Sequence, residues 1–322
     1  MKKIFTLTII LIANGLFLSA QDATKATADT SWKKGGFISI SFNQVSLTNW
    51  AAGGENALSG AFVGSFFANY KKGKIAWDNT LDLGYGMLKS DGSKLHKNDD
   101  RIELNSTYGH EAKGSFYYSA LLNMKSQFAK GYNYPNDSTV ISKFAAPAYI
   151  SIALGMEYKP TSYFSLFLSP ATGRLLVVSD QTLADAGQFG VDPATYDAAG
   201  NKLTSGKMLR TEFGAYLRTR FQKDLIKNVN LFTTVSLFNN YTDKHVENRG
   251  NINVDWLTML TVKAGKLLSF NITTHLLYDN NIAIPTYADV TIGGTTYKNV
   301  VVAKGPKTQF QEALGVGISY KF

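Results

Sequence analysis

Charged side chains recur at every second position in stretches of this sequence whose other residues are apolar. Between residues 209 and 221, four charged residues and one tyrosine lie at even positions, and four large apolar residues lie at odd positions. Because successive side chains of a strand point to opposite faces, these polar groups share one face. Arginine on such a face binds anions or pairs with acids through two parallel hydrogen bonds. The set on equivalent faces along the chain is Arg210, Glu212, Tyr216, Arg218, Arg220, Lys125, Glu157, Asp255, His275, Asp78 and Asp82.

Whether these charges pair decides their chemistry. An excess of arginine along a narrow aqueous space favours anionic solutes. Acids and bases in mixed order neutralise one another and can fill the space instead. The mixed signs favour the ion-pair network. With no cysteine in the chain, thiolate metal sites and disulfides are excluded, and we expect no metal and no cofactor.

Acyl hydrolysis is the other chemistry that residue spacing suggests. Ser269, His275 and Asp279 fall on the same face of one apolar-polar run. A hydrolase needs its hydroxyl and imidazole within hydrogen-bond reach, and a serine-rich sheet offers such coincidences by chance. The G-x-S-x-G, H-E-x-x-H and P-loop motifs are absent from the sequence. We therefore predict that the protein is not an enzyme.

A tryptophan-centred segment at residues 46–56 is the most unusual local motif. Its adjacent glycines permit the positive φ angles of a tight turn, so we favour an external hairpin turn. The alternative is a loop that folds into an enclosed space, where it would constrict the space or meet a ligand. The residues concerned are Asn49, Trp50, Gly53, Gly54, Glu55 and Asn56.

The elements that position all these side chains are β-strands. In residues 74–88 the odd positions are mostly large and apolar and the even positions polar or small, and similar runs recur about twelve times. The runs have roughly 10 to 15 residues, whereas soluble strands average about 5 to 6 and a tilted membrane strand needs about 9 to 11. Their polar face is rich in Ser, Thr, Asn and Gly, which suits a confined lumen. A soluble all-β protein is the alternative, because alternation alone does not show which face is wet.

Connection lengths favour the membrane interpretation. They alternate between tight turns, such as residues 113–114 and 159–162, and long segments, such as residues 89–100, 179–207 and 279–308. Short periplasmic turns and long external loops are typical of outer-membrane barrels. We therefore predict an all-β fold, a single transmembrane antiparallel β-barrel of about 12 strands, with a range of 10 to 14.

The two ends of the sequence carry targeting signals. Lys2, Lys3, the apolar stretch that follows and Ala20 have the pattern of a signal peptide over residues 1–20. Residues 21–35 would form a short periplasmic segment and residues 36–322 the barrel. The formal charge of +9 is spread along the chain, so we expect no nucleic-acid partner.

The C-terminus alternates apolar residues and finishes in phenylalanine. This ending looks like the assembly signal of outer-membrane barrels, so we expect Tyr320 and Phe322 to meet the barrel-assembly machinery. An unpaired strand edge is costly in hydrocarbon, so residues 37–47 should pair with residues 309–322 and close the barrel. The other expected partners are outer-membrane lipids.

A family resemblance extends over essentially the whole mature chain. SLTNWAAGGEN at residues 46–56, WDNTLDLGYG at residues 77–86, the leader and the terminal strand resemble the Bacteroidota domain-of-unknown-function family numbered 3078. The resemblance implies an outer-membrane barrel and supplies no catalytic residues.

Together these patterns predict a location and a class of function. We expect the outer membrane of a Gram-negative bacterium. The favoured role is a narrow passive channel, which could pass a small solute, or a structural surface barrel. The alternatives are a specific transporter or receptor for a hydrophobic or anionic ligand and, least favoured, an outer-membrane barrel hydrolase.

Overall fold

The computed structural model describes residues 31–46, 57–90, 92–134, 136–265 and 268–322. Twelve long strands dominate this part of the chain. None of the helices in it is long and apolar enough to cross a membrane. The strands are β1 (Trp32–Val45), β2 (Ala57–Lys72), β3 (Ile75–Ser90), β4 (His96–Lys113), β5 (Phe116–Ser126), β6 (Ala148–Thr161), β7 (Phe164–Val177), β8 (Leu209–Ile226), β9 (Val229–Asn240), β10 (Ile252–Ala264), β11 (Leu268–Tyr278) and β12 (Gln309–Lys321).

The twelve strands close into one antiparallel barrel. Each strand pairs with the next in chain order, and β12 pairs with β1. In the closing pair Phe37 lies opposite Lys321 and Phe42 opposite Val316. Gly36 and Phe322 exchange both of their backbone hydrogen bonds at 3.0 Å. The predicted fold class, strand number and closure between the first and last strands are therefore confirmed.

The two faces of the strands differ in the way that the alternation predicts. Trp77 and Phe213 on the outer wall are 40% and 47% exposed, whereas Asp82 and Arg218, which point inward, are each only 9% exposed. A protein with a hydrophobic core buries the first pair and exposes the second. Here the large apolar side chains cover the outside and the polar ones fill the interior.

The two ends of the barrel are unequal. At one end, here called the turn end, residues 73–74, 114–115, 162–163 and 227–228 connect neighbouring strands. Gly73, Gly114 and Asn228 take positive φ angles there, which glycine and asparagine tolerate best. At the other end, the loop end, the connections include residues 127–147, 178–208 and 279–308.

Two predicted connections were placed wrongly. The segment 89–100 reads as a long loop, but β4 already begins at His96. The segment 159–162 reads as a turn, but β6 continues to Thr161. In both places hydrophilic residues near a strand end point into the barrel, so a polar sequence that resembles a loop is part of the sheet.

The loops carry small elements of their own. Asp180 caps the short helix Gln181–Asp185 by accepting a 3.0 Å hydrogen bond from the Leu183 N–H. Val246–Gly250 and Gln188–Gly190 form 3-10 turns. An apolar cluster joins the loop around this helix to strand ends; it contains Ala146, Leu176, Val178, Leu183, Ala184 and Val191. Three hairpins lie in the loops, pairing Gly131–Tyr132 with Val140–Ser142, Thr195–Tyr196 with Lys202–Thr204, and Ile284–Ile292 with Thr295–Gly305.

Some sequence predictions concern residues elsewhere in the chain. The predicted signal peptide and the tryptophan-centred segment, with Asn49, Trp50, Gly53, Gly54, Glu55 and Asn56, lie outside the described residues. β1 begins at Trp32, ahead of the predicted barrel boundary at residue 36.

Candidate functional site in the barrel interior

The structure places the predicted lumen-lining side chains on inward faces of the strands, where they form separate groups. The largest group joins opposite walls. Lys125 Nζ on β5 lies 2.5 Å from Asp255 Oδ2 on β10, and the two strands are five positions apart in an order of twelve. His275 Nε2 on β11 lies 2.9 Å from the other oxygen of Asp255. With Glu103 Oε1, 3.6 Å from Lys125 Nζ, these residues form what we call the cross-lumen cluster: Glu103, Lys125, Asp255 and His275.

Amide side chains hold Glu103, one of the two acids of this cluster. Asn105 and Asn123 donate hydrogen bonds of 3.2 and 2.9 Å to Glu103 Oε1. Asn123 also donates to Asn105 Oδ1 at 2.7 Å. All three side chains are buried. A buried charge is tolerated when such donors and a cation compensate it, so the cluster is a satisfied network rather than a set of loose charges.

A second group, the Glu212 cluster, lies nearer the loop end and comprises Arg174, Arg210, Glu212 and Asp279. Arg174 Nε donates to Glu212 Oε2, and Arg210 Nη2 lies 3.2 Å from Glu212 Oε1. Asp279 Oδ2 is 3.8 Å from Arg174 Nη2. The Arg174 guanidinium also stacks 4.2 Å from the ring centroid of Phe238. One buried carboxylate thus holds two arginines.

Arg210 also connects this cluster to the long loop after β7. Its Nη1 donates to the carbonyl oxygens of Phe189 and Gly190 at 3.1 and 2.7 Å. Both carbonyls belong to or adjoin the 3-10 turn of that loop. The loop is therefore anchored to an inward-facing side chain of the barrel.

A third group lies closer to the turn end. Lys159 Nζ is 2.5 Å from Asp78 Oδ2 and 2.9 Å from Glu157 Oε2. Nearby on the inward face of β3, Asp82 accepts a 2.5 Å hydrogen bond from the Ser65 hydroxyl. Acids of β3 and β6 thus have a donor or a cation close by.

The two remaining arginines of β8 are bound differently. Arg218 is buried, its Nε has no hydrogen-bond partner, and no carboxylate of the described chain lies within 4.0 Å of it. The Arg220 guanidinium stacks 5.0 Å from the Phe232 ring centroid, and its Nη2 donates to Gln222 Oε1 at 3.0 Å.

Apolar and aromatic side chains occupy the interior between these charged groups. The Tyr216 hydroxyl donates to Ser236 Oγ at 3.1 Å, and its ring packs in a buried apolar cluster. The side chains of these apolar clusters are withdrawn from solvent inside the barrel. The cluster consists of Leu121, Ala153, Phe167, Tyr216 and Phe238, and a second one of Phe232, Leu257 and Met259.

Among the cavities of the described barrel, two lie beside the cross-lumen cluster. The larger, about 330 Å³, is lined by charged residues and by aromatic ones such as Tyr149, Phe238 and Tyr278. The smaller, about 120 Å³, lies against β1 and β12. Arg101, Leu257 and His275 line both cavities.

The residues considered for hydrolysis have other partners. Ser269 is fully buried and its Oγ accepts from Asn271 Nδ2 at 3.3 Å. His275 bonds Asp255, and Asp279 lies beside Arg174. No hydroxyl–imidazole pair forms among these three side chains. The described residues also contain no group of three or more His, Cys, Asp or Glu placed to hold a metal ion.

The sequence did not single out Glu103, Arg174 or Lys159, although all three are central to the interior. Glu103 and Arg174 lie in stretches whose alternation is weak, and Lys159 adjoins a proline that suggests a turn. The sequence does carry a signal for Glu103: Asn105 and Thr107 follow it at two-residue spacing, which places all three side chains on one polar face. The sequence carries no signal that shows which residues on opposite walls will pair across the lumen.

Outside the barrel wall, the loop after β7 has its own ion pair. Asp185 pairs with Lys202 and accepts hydrogen bonds from the Gly206 N–H at 2.7 Å and from Gln181 Nε2 at 2.8 Å. These interactions, led by the bond from Lys202, lower the pKa of Asp185 to about 2. The carboxylate is thus a fixed anchor within this loop.

Similarity to known proteins accords with this architecture. Residues 42–132 match the family model "Protein of unknown function (DUF3078)". The predicted family resemblance is confirmed over that range, which runs from β1 to the loop after β5. No curated protein matches the chain.

Solved structures similar to this chain are bacterial barrels of low sequence identity. The COG4313 outer membrane channel from Pseudomonas putida F1 is 12% identical, with 89% of this chain and 96% of that chain covered and a TM-score of 0.37. The translocator domain of the autotransporter NalP from Neisseria meningitidis is also 12% identical, with 99% and 95% covered and a TM-score of 0.30. The fold of this chain is given by its own strand pairing.

Proposed function

We propose that this chain is an outer-membrane β-barrel of a Gram-negative bacterium that serves as a surface barrel with a closed lumen. The observation that carries the proposal is the meeting of side chains from opposite walls. Lys125 and Asp255 join β5 to β10, and buried Phe167 and Tyr216 lie in the apolar cluster beside them. Between a structural barrel and a passive channel, the filled interior favours the structural barrel.

The outer wall supports the membrane location. Wall residues such as Leu154, Phe213 and Ile318 are 63%, 47% and 59% exposed. In water such a wall would be a contiguous apolar surface of the kind that aggregates or binds partners. Closure of β12 on β1 leaves no unpaired edge among the barrel strands, which hydrocarbon requires.

Conductance in planar bilayers tests the closed lumen. We expect the purified protein to show no steady current, because its inward side chains exclude a continuous water path. A variant with Phe167→Ser and Tyr216→Ser removes two rings from the apolar cluster and should conduct or show frequent openings. A stable open current from the unmodified protein would contradict the proposal.

Assembly through the C-terminus is tested separately. Tyr320 and Phe322 lie on the outer wall, each 56% exposed, with their ring centroids 6.0 Å apart. We propose that this pair is read by the barrel-assembly machinery. Phe322→Ser should then reduce the amount of barrel recovered in the outer-membrane fraction, whereas Lys321→Ser, between the two aromatics, should not. Equal recovery of the two variants would argue against this role.

A further inference from the structure

The larger cavity has the size and composition of a small-molecule site that a purely structural barrel does not need. Its volume of about 330 Å³ is near the lower limit of ligand pockets, which range from roughly 300 to 1,000 Å³. Tyr149, Tyr216, Phe238 and Tyr278 give it an aromatic lining at the loop-end half of the barrel. Such a lining suits a ligand with an aromatic or apolar body.

The carboxylates that line this cavity are already satisfied. They therefore offer little to a cationic ligand, because each one would have to give up an existing donor. Asp100 accepts hydrogen bonds from Lys97 and from the backbone N–H groups of Phe128 and Ala129. Asp255 is bonded to Lys125 and His275, and Glu103 accepts from Asn105 and Asn123 and lies beside Lys125. Asp279 accepts from the Asn281 N–H and lies near Arg174.

The cations of the lining are not equally satisfied. Lys125 is held by Asp255 and Arg174 by Glu212. Arg101 differs from both: no carboxylate of the described chain lies within 4.0 Å of it, and its Nε, like Arg174 Nη2, is buried without a hydrogen-bond partner. Glu103 follows two residues later on the same face, but its Oε1 is taken by amides and faces Lys125.

A guanidinium in such a place can bind an anion. Arg101 is half-buried, and its Nε is shielded from solvent. The Arg101 guanidinium is partly withdrawn from water and has no close carboxylate, so a ligand carboxylate could accept charge-assisted hydrogen bonds from it. Because Arg101 lines the aromatic cavity, an anionic group there would leave the body of a ligand among the rings.

We propose that this cavity binds a small carboxylate with an aromatic or apolar body. The carboxylate would pair with Arg101 and the body would pack against Tyr149, Tyr216 and Phe238. This site rests on the proposed closed barrel, because side chains from opposite walls form the cavity. It gives the surface barrel a ligand of defined chemistry.

Calorimetric titration of the full-length protein in detergent micelles tests the site. The probes are phenylacetate, benzoate and octanoate, each compared with its neutral amide. For at least one pair we expect the acid to bind roughly tenfold to a hundredfold more tightly, as one charge-assisted bond allows. Arg101→Gln should abolish that preference and Arg101→Lys should keep part of it. Arg220→Gln is the matched control, since Arg220 is an interior arginine that lines neither cavity.

Several outcomes would overturn the site. If no acid binds more tightly than its amide, or if Arg101→Gln keeps the preference, Arg101 is not the receptor of an anion. Conductance of the same preparation separates this failure from that of the proposed function. If the barrel does not conduct and binds no acid more tightly than its amide, only the site is refuted. If the barrel conducts, the closed lumen on which the site rests is refuted.

Discussion

On strand β6 the outer wall and the interior of the barrel differ in chemistry and in exposure. Leu154 on the wall is 63% exposed, and Glu157 in the interior is 5% exposed. Burial of apolar surface contributes about 25 cal/mol per Å², so a wall of this kind is stable only where its surroundings are themselves apolar. Inside the barrel, the polar side chains form hydrogen bonds and ion pairs with one another, where the polar surface of a soluble protein would bond to water.

Within the interior, charges also differ in how they are solvated. Lys125 lies between Asp255 and Glu103, whereas Arg218 has no carboxylate within 4.0 Å in the described part of the chain. Removal of one member of a buried ion pair leaves an uncompensated charge, and removal of an unpaired charge relieves one. Similar substitutions should therefore destabilise the barrel much more at Lys125 than at Arg218.

Lys125→Met is expected to have one of the two largest effects. This change leaves Asp255 and Glu103 without their shared cation and should lower the free energy of unfolding by about 3 kcal/mol, the low end for buried pairs because both partners keep some exposure. Urea unfolding of the protein in lipid vesicles measures it. Lys125→Arg keeps the charge and should cost less than Lys125→Met. A loss below about 1 kcal/mol for Lys125→Met would show that the pair is weakly coupled.

The wall is tested by Leu154→Arg. At the middle of a bilayer, an arginine on the lipid face of a barrel costs about 2–4 kcal/mol. Leu203 in the loop hairpin Lys202–Thr204 is the matched control, because it is 65% exposed but lies outside the barrel wall. Leu203→Arg should change the unfolding free energy by no more than about 0.5 kcal/mol. Equal effects at the two leucines would mean that the wall is not in lipid.

A smaller effect is expected from Arg218→Gln. Because Arg218 is buried without a close carboxylate, loss of its charge should change the unfolding free energy by less than about 1 kcal/mol. Vesicle unfolding beside Lys125→Met gives the comparison directly. If Arg218→Gln destabilised the barrel as much as Lys125→Met, the distinction between paired and unpaired charges would be wrong.

The barrel could be predicted from the sequence because its cause is local. Two-residue periodicity assigns each side chain to a face, so the inward position of residues such as Glu212 and Asp255 follows from their neighbours. Partners such as Lys125 and Asp255, 130 residues apart, depend instead on strand number and stagger around the barrel. Arg101 was missed for the same reason, since a lack of partners appears only when every wall is in place.

The smallest effect on the barrel is expected from titration of the loop after β7. The pKa of Asp185 is lowered to about 2, so its bonds to Lys202 and the Gly206 N–H stabilise the loop above the ordinary aspartate pKa and are lost as the pH falls through about 2. Amide exchange in residues 181–206 should become less protected over that range, while exchange in the barrel strands stays unchanged.

Asp180, Asp192 and Asp197 in the same loop also have lowered pKa values, so Asp185→Asn is needed to isolate one group. That variant should lose the exchange step around residues 202–206 but keep the steps of the other aspartates. A step that persists there in Asp185→Asn would assign the anchor to another carboxylate, and a simultaneous change in the strands would show that the loop and the wall are not independent.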